Sequence, residues 1–335
     1  MSQTSLRSVS IERGAALCAA LLLLLFGGGG TAAARPTLTT FEVEGTSTFV
    51  TGINGGNSVV GFLFGSPDSF VRTADGTVTT FNVGGASTIA VGIDDAGTIT
   101  GGYFDGAGDH GFLRTADGTI TSFNVLGDIY TDPRAINNKG VVAGCYDLCQ
   151  HGFLRTAGGK IKTFDIPDLD LVSGINDGRA IVGTTGSYAS GFHGFLRASD
   201  GTISAIDVPG AQHTFATAIN SAGFVTGRYQ DPDGAVHGFV RGSDGSITPF
   251  DALDCVASPV DINDSGSIAG PCATGRPKAQ HNSVGFLRDA GGSITEFHAP
   301  GGTRTNPVGI NNLGVIAGDY RDRQTHVYRG FLRIP

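Results

Sequence analysis

No stretch of this chain is apolar for long enough to cross a membrane as a helix. The longest apolar run, residues 15–26, has 12 residues, against about 20 for a span. Basic residues are too few for a general nucleic-acid binder. Lys and Arg number 22 against 30 Asp and Glu, a formal charge of −8, where such binding needs a basic footprint. Tryptophan is absent. No window carries a sustained helical period, which leaves short strands as the building units. Gly-x-Ser-x-Gly, His-Glu-x-x-His and phosphate-loop motifs are also missing, so no hydrolase or nucleotide machinery can be assembled from the sequence.

What the chain has is glycine, 54 residues of it, and a repeated phrase. The clearest copy runs from Gly191 to Arg197, turns at Ser-Asp-Gly-Thr, continues from Ile203 to Gly210, then through Thr217–Asn220 and Gly223–Tyr229. An apolar anchor recurs at Phe41, Phe81, Phe123, Phe164, Ile206, Phe250 and Phe297, at gaps of 40, 42, 41, 42, 44 and 47 residues. A fixed period of this size marks a repeat architecture.

Each repeat offers four short extended runs, called b, c, d and a in chain order. Asn-x-x-Gly joins b to c and Asp-Gly or Gly-Gly joins d to a, both hairpin chemistry because Asn and Gly accept positive φ. The c–d link is longer, and the a–b link is the longest and irregular. Three hairpin links and one crossover describe a four-stranded antiparallel sheet with b innermost, where small residues suit a crowded channel. Seven such sheets predict an all-β, seven-bladed β-propeller, which leaves only short protected edges. The chain opens with an orphan strand a, Thr37–Val43, and ends with an orphan strand d, Gly330–Ile334. Joining them predicts a last blade closed by the N-terminal strand, where an open solenoid would instead need atypical caps.

Arg7 and Arg13 precede the short apolar run, and a Gly tract and Ala32-Ala33-Ala34 follow it. This is the pattern of a secretory signal peptide over residues 1–34, leaving 35–335 as one propeller domain. The expected product is a monomer outside the cytoplasm, periplasmic or extracellular.

Four cysteines remain beyond Cys18. Their even number in an exported chain points to disulfides. The topology sets Cys145 and Cys149 across one c–d link, and Cys255 and Cys272 beside one blade's inner strands, so the expected pairs are 145–149 and 255–272. His110, His151, His193 and His237 share one slot before Gly-Phe, taken elsewhere by Asp68, Val284 and Arg329. An arginine follows Phe-Leu or Phe-Val in all copies: Arg72, Arg114, Arg155, Arg197, Arg241, Arg288 and Arg333. The asparagine after Ile recurs too, with Asp94 in one copy. Positions that repeat serve the architecture, since a site breaks symmetry. The expectation for the histidines is a hydrogen bond fastening strand d to its own blade. Asp231-Pro-Asp233-Gly234 resembles a fragment of a calcium loop but lacks the downstream Glu. No other cofactor is expected.

The phrases Gly174–Gly183 and Gly309–Gly318, Gly-Ile-Asn followed by Gly-x-Val/Ile-x-Gly, together with His-Gly-Phe-Leu-Arg, resemble the HAF-type extracellular repeat of secreted bacterial proteins. The likeness covers nearly all of residues 37–335, with His-Gly-Phe standing where the family reads His-Ala-Phe. It implies an exported, repeat-built protein and no catalytic set.

Symmetry breaks in the last two repeats. Arg276, Lys278 and His281 lie in the long c–d link of the sixth, Arg304 in the next crossover, and Arg321, Arg323 and His326 in the c–d region of the seventh. Asp128, Asp132, Asp147, Asp168 and Asp170 place acid on the same face in repeats two to four. The basic sector suits an anionic ligand, since arginine presents a fork to carboxylates. The expected function is a non-enzymatic binding protein for an acidic polysaccharide or a surface protein. A carbohydrate-active lyase or hydrolase and a structural envelope protein are the alternatives, since fold does not fix function.

Overall fold

The computed structural model describes residues 35–252, 255–274 and 283–335. The proposed signal segment therefore lies outside the described residues. So do Arg276, Lys278 and His281.

The described residues contain strands and turns, with no helix among them. The strands form six sheets. Five are separate four-stranded antiparallel units, one for each of the first five repeats, ordered b-c-d-a. The first consists of Thr48–Ile53, Val59–Leu63, Ser69–Arg72 and Val78–Phe81. Each strand a ends on its anchor residue, as at Phe81, Phe123, Phe164, Ile206 and Phe250.

The sixth sheet has nine strands. One part is Gly302–Ile310, Ile316–Asp322, Tyr328–Ile334 and the N-terminal strand Thr37–Phe41. Thr37 pairs with Ile334 and Phe41 with Gly330, antiparallel. The other part is built on Ile268–Thr274, Ser283–Arg288 and Ile294–Phe297. A single parallel pairing, Ser283 with Arg304, joins the two parts. Here strand b is split into Cys255–Ala257 and Asp261–Ile262. Pro259 has no N–H to give the ladder, and Ser258 and Val260 bracket it by donating to Pro271 and Ala269 (both 3.0 Å).

The core repeats with the sequence. The Phe of His-Gly-Phe is fully enclosed in every copy: Phe70, Phe112, Phe153, Phe195, Phe239, Phe286 and Phe331. Each lies over a glycine of strand c. At Gly144 a Cβ would overlap the Asp132 carbonyl and come within 2.8 Å of the Phe153 ring. Anchor phenylalanines pack edge-on against the next repeat's enclosed Phe at five boundaries, as in Phe81–Phe112 (6.0 Å) and Phe123–Phe153 (6.1 Å). Phe41 on the N-terminal strand meets Phe70 in the same way at 6.1 Å.

The recurring polar residues tie neighbouring sheets together. Arg72, Arg114, Arg155, Arg197, Arg288 and Arg333 each sit 4.5–5.2 Å over the anchor ring of the preceding repeat. For Arg241 the anchor of the preceding repeat is Ile206, which has no ring to offer. The Asn54 amide donates to Asp94 O of the next repeat at 3.0 Å. Asn137, Asn176, Asn220 and Asn263 pass the same bond forward, and Asn311 returns it to Asn54 O at 3.0 Å. These asparagines do more than turn a hairpin, the role expected of them. They and their neighbours from all seven repeats line one shallow cavity.

Candidate functional site

The histidines act inside their own sheets. Nδ1 of His110 lies 2.9 Å from Asn124 Oδ1, and His151, His193 and His237 meet Asp165, Asp207 and Asp251 at 2.6, 2.8 and 2.6 Å. Each partner follows the anchor of strand a. Asp68 and Asn82 fill the slot in the first repeat at 2.6 Å, and Arg329 with Glu42 fills it between the two ends of the chain at 3.3 Å. The expected fastening of strand d is present. The histidines' partners, each 14 residues on, are visible only once the register is known.

Both expected disulfides are formed, with Cα separations of 4.7 Å for Cys145–Cys149 and 5.5 Å for Cys255–Cys272. Cys255 and Cys272 lie within the inner strands Cys255–Ala257 and Ile268–Thr274, where positions beside those strands were expected. Two groups of possible metal ligands occur among the described residues, Asp132 with Cys145 and Cys149, and Cys255 with Cys272 and Glu296. In both, the sulfurs are committed to a disulfide and offer no thiolate. Asp231 caps its own turn by accepting from Ala235 N (2.9 Å) and also faces His237 Nε2 (3.4 Å). Asp233 is exposed beside it.

In the basic sector, Arg304 and Arg321 stand directly opposite each other on adjacent antiparallel strands, so their side chains leave one face together. Tyr328 follows in the same row, opposite Arg321. Among the described residues neither arginine has an ion-pair partner, and Arg304 Nη1 reaches only the Tyr328 hydroxyl, at 3.4 Å. Like charges in register repel, and no acidic side chain among the described residues forms an ion pair with either. Arg323 and His326 are exposed on the adjoining link. The link is pinned by Arg323 N donating to Gly301 O (2.9 Å) and His326 N to Asp322 O (3.0 Å). Arg329 is already engaged by Glu42.

Composition and motif gave no sign of the aromatic platform beside these arginines. Tyr328 packs on Phe49 at 4.7 Å, Phe49 stacks on Phe62 at 5.3 Å, and Phe64 meets Phe49 edge-on at 6.2 Å. Phe64 is 71% exposed. The signal was there in the first repeat, where Phe62 stands at a slot that no other copy fills with an aromatic residue, but it shows only once that repeat is set against the last.

Asp319 lies in the next row of the same face, opposite Asn306. Burial pushes its carboxyl up to about 7, against the pull of the Asn306 amide, the Val50 N–H and Arg304.

Solved structures with this fold include a streptogramin B lyase, 15% identical with TM-score 0.63, over 90% of this chain and 98% of that one. Another is a catalytically inactive virginiamycin B lyase from Staphylococcus aureus with quinupristin, 14% identical with TM-score 0.60, over 90% and 100%. A third is the β-propeller domain of the trilobed protease from Pyrococcus furiosus, with its open velcro topology, 12% identical with TM-score 0.60, over 85% and 95%. At these identities the likeness is one of fold alone, and the fold is a β-propeller. No protein-family model matches the chain, and no curated protein matches it.

Proposed function

We propose that the chain is an exported, non-enzymatic seven-bladed β-propeller that binds an acidic polysaccharide on the face bearing its long links. In this reading residues 1–34 are a cleaved signal peptide and 35–335 the propeller, a secreted protein of the HAF-repeat type. The nine-stranded sheet is two blades joined by the Ser283–Arg304 pairing, and strand Thr37–Phe41 completes the last of them. The returning Asn311–Asn54 bond and the Phe41–Phe70 contact support closure, because they repeat contacts that most of the other repeat boundaries make.

The observation that carries the ligand class is the unpaired Arg304–Arg321 row beside the Phe49–Phe62–Tyr328 platform. Guanidinium forks recognise carboxylates, and flat aromatic faces suit the apolar faces of sugar rings. The arms that test it are alginate, polygalacturonate and neutral dextran, offered at low ionic strength. The acidic polymers bind saturably, dextran does not, and added salt weakens binding because exposed charges are screened. Arg304→Ala with Arg321→Ala lowers affinity at least about tenfold, the scale of 1.4 kcal/mol. Absence of binding to any anionic polymer at low salt overturns the reading. Chain-length analysis of the same incubations separates binding from cleavage.

A further inference from the structure

The cleft between the second and third repeats is built differently from the other repeat boundaries. Arg134 stands at the bulge of strand b, where other copies have Thr51, Val91, Ser173, Thr217 and Val308. It pairs with Asp132 at 2.7 Å on the cleft floor. The cavity measures about 490 Å³, within the span of small-molecule sites. Tyr103 and Phe104 wall one side, and Tyr130, Tyr146 and Leu148 the other.

Two independent features mark it as a site. Of the twelve large exposed hydrophobics among the described residues, six belong to these two repeats, and four of them, Ile89, Phe104, Tyr130 and Leu148, line the cavity. Clustering of that kind on a soluble surface marks an interaction site. The walls are also held in place. Asp109 N donates to Ile129 O at 2.7 Å and Asp147 N to Tyr130 O at 3.2 Å, so the Tyr130 segment is pinned from both flanks. The Cys145–Cys149 disulfide ties the wall that carries Leu148.

The charges define what fits. Asp109 and Asp132 both line the cavity, and its one cation, Arg134, is committed to Asp132. Asp170 also lies within the field of Arg134. An anion entering here meets uncompensated carboxylate. We infer that the cleft is a second binding site, for a small organic cation: an amine or quaternary ammonium carrying an aromatic or branched apolar body. Tyrosine faces attract such cations and carboxylates pair with them, while Ile89, Phe104 and Leu148 cover the apolar part.

The experiment uses the intact, oxidised protein and four probes of one size: 2-phenylethylamine, benzyltrimethylammonium, 2-phenylethanol and phenylacetate. In equilibrium dialysis the two cations bind saturably, and the alcohol and the acid bind at least about tenfold more weakly. Tyr130→Ala and Leu148→Arg each abolish cation binding. Asp132→Asn reduces it without improving phenylacetate. Both exposed-residue variants keep the wild-type unfolding midpoint, so a loss of binding reads on the site. Equal binding of cation, alcohol and acid overturns the ligand class. Absence of saturable binding by every probe, or full binding by Leu148→Arg, overturns the site.

Discussion

Asp319 and Asp261 are the two carboxyls whose surroundings most oppose charge. Burial pushes Asp261 up to about 6, although it accepts from the N–H groups of Ile262 (2.8 Å) and Ile310 (2.9 Å). Six repeats have glycine or alanine at its position, and there it bridges the inner strands of the sixth and seventh copies. A carboxyl raised in the folded state binds a proton that the unfolded chain has already released. Stability is therefore highest at acid pH and falls as pH rises from about 4 towards 6 for Asp261 and 7 for Asp319. The slope within each window is at most about 1.4 kcal/mol per pH unit. His237, raised by its bond to Asp251, acts in the same direction. The turn residues Asp75 and Asp117, lowered by the Thr73 and Thr115 hydroxyls, titrate below this window. Urea midpoints should accordingly fall between pH 5 and pH 8, and Asp261→Asn and Asp319→Asn should flatten the decline. A midpoint that rises over this range refutes the assignment. Asp319 also couples to the arginine row. Its protonation removes a negative charge beside Arg304, so acidic-polymer affinity should rise as pH falls from 8 to 6, and Asp319→Asn should remove that dependence.

At the scale of the strand, one glycine and one phenylalanine per repeat decide packing. Phe153→Ala should cost about 3–5 kcal/mol, the usual range for an enclosed Phe. Gly144→Ala should be comparably damaging, because its Cβ has no room between Asp132 O and the Phe153 ring. Thermal unfolding of both variants checks this, and wild-type stability in Gly144→Ala would rule out the packing described. Arg197→Met should cost about 2 kcal/mol if its stacking on Phe164 is the main loss, because the guanidinium is buried. Much of this was legible in sequence. Phe, Gly, His and Arg recur in register, so their shared structural role follows from repetition alone. What could not be read was who meets whom. The His–Asp partners lie 14 residues apart and the Arg–Phe pairs cross a repeat boundary, and both distances appear only after the strands are aligned. The cleft of the second and third repeats was hidden for a different reason. Asp132 entered only as part of an acidic surface, and Arg134 was masked by an acidic neighbourhood, so neither stood out by charge.

The two chain ends raise a question for the whole molecule, because one strand covers the outer edge, Tyr328–Ile334, that the last repeat would otherwise leave open. Thr37–Phe41 pairs along Tyr328–Ile334, and Val43 N then donates to the Thr48 hydroxyl at 3.2 Å. The same valine-to-threonine bond recurs at Val83–Thr88, Val125–Thr131 and Val208–Thr214. The N-terminal strand is thus bonded at both ends as an internal strand a would be. The spacing of the anchors anticipated this, since Phe41 falls one period before Phe81. Removing residues 35–43 should expose the Tyr328–Ile334 edge and the face of Phe70 together. An unpaired edge with an apolar face recruits other strands, so the truncated protein should lose stability and self-associate, measured by light scattering after size exclusion. Gly330→Val should mimic it in the full chain, since a side chain there collides with the Phe41 ring. Adding a peptide of residues 35–45 in trans should return the truncated protein to a monomer, whereas a Phe41→Asp version of the peptide should not. A truncated protein that stays monomeric with an unchanged midpoint would mean that the N-terminal strand decorates the last sheet without holding it.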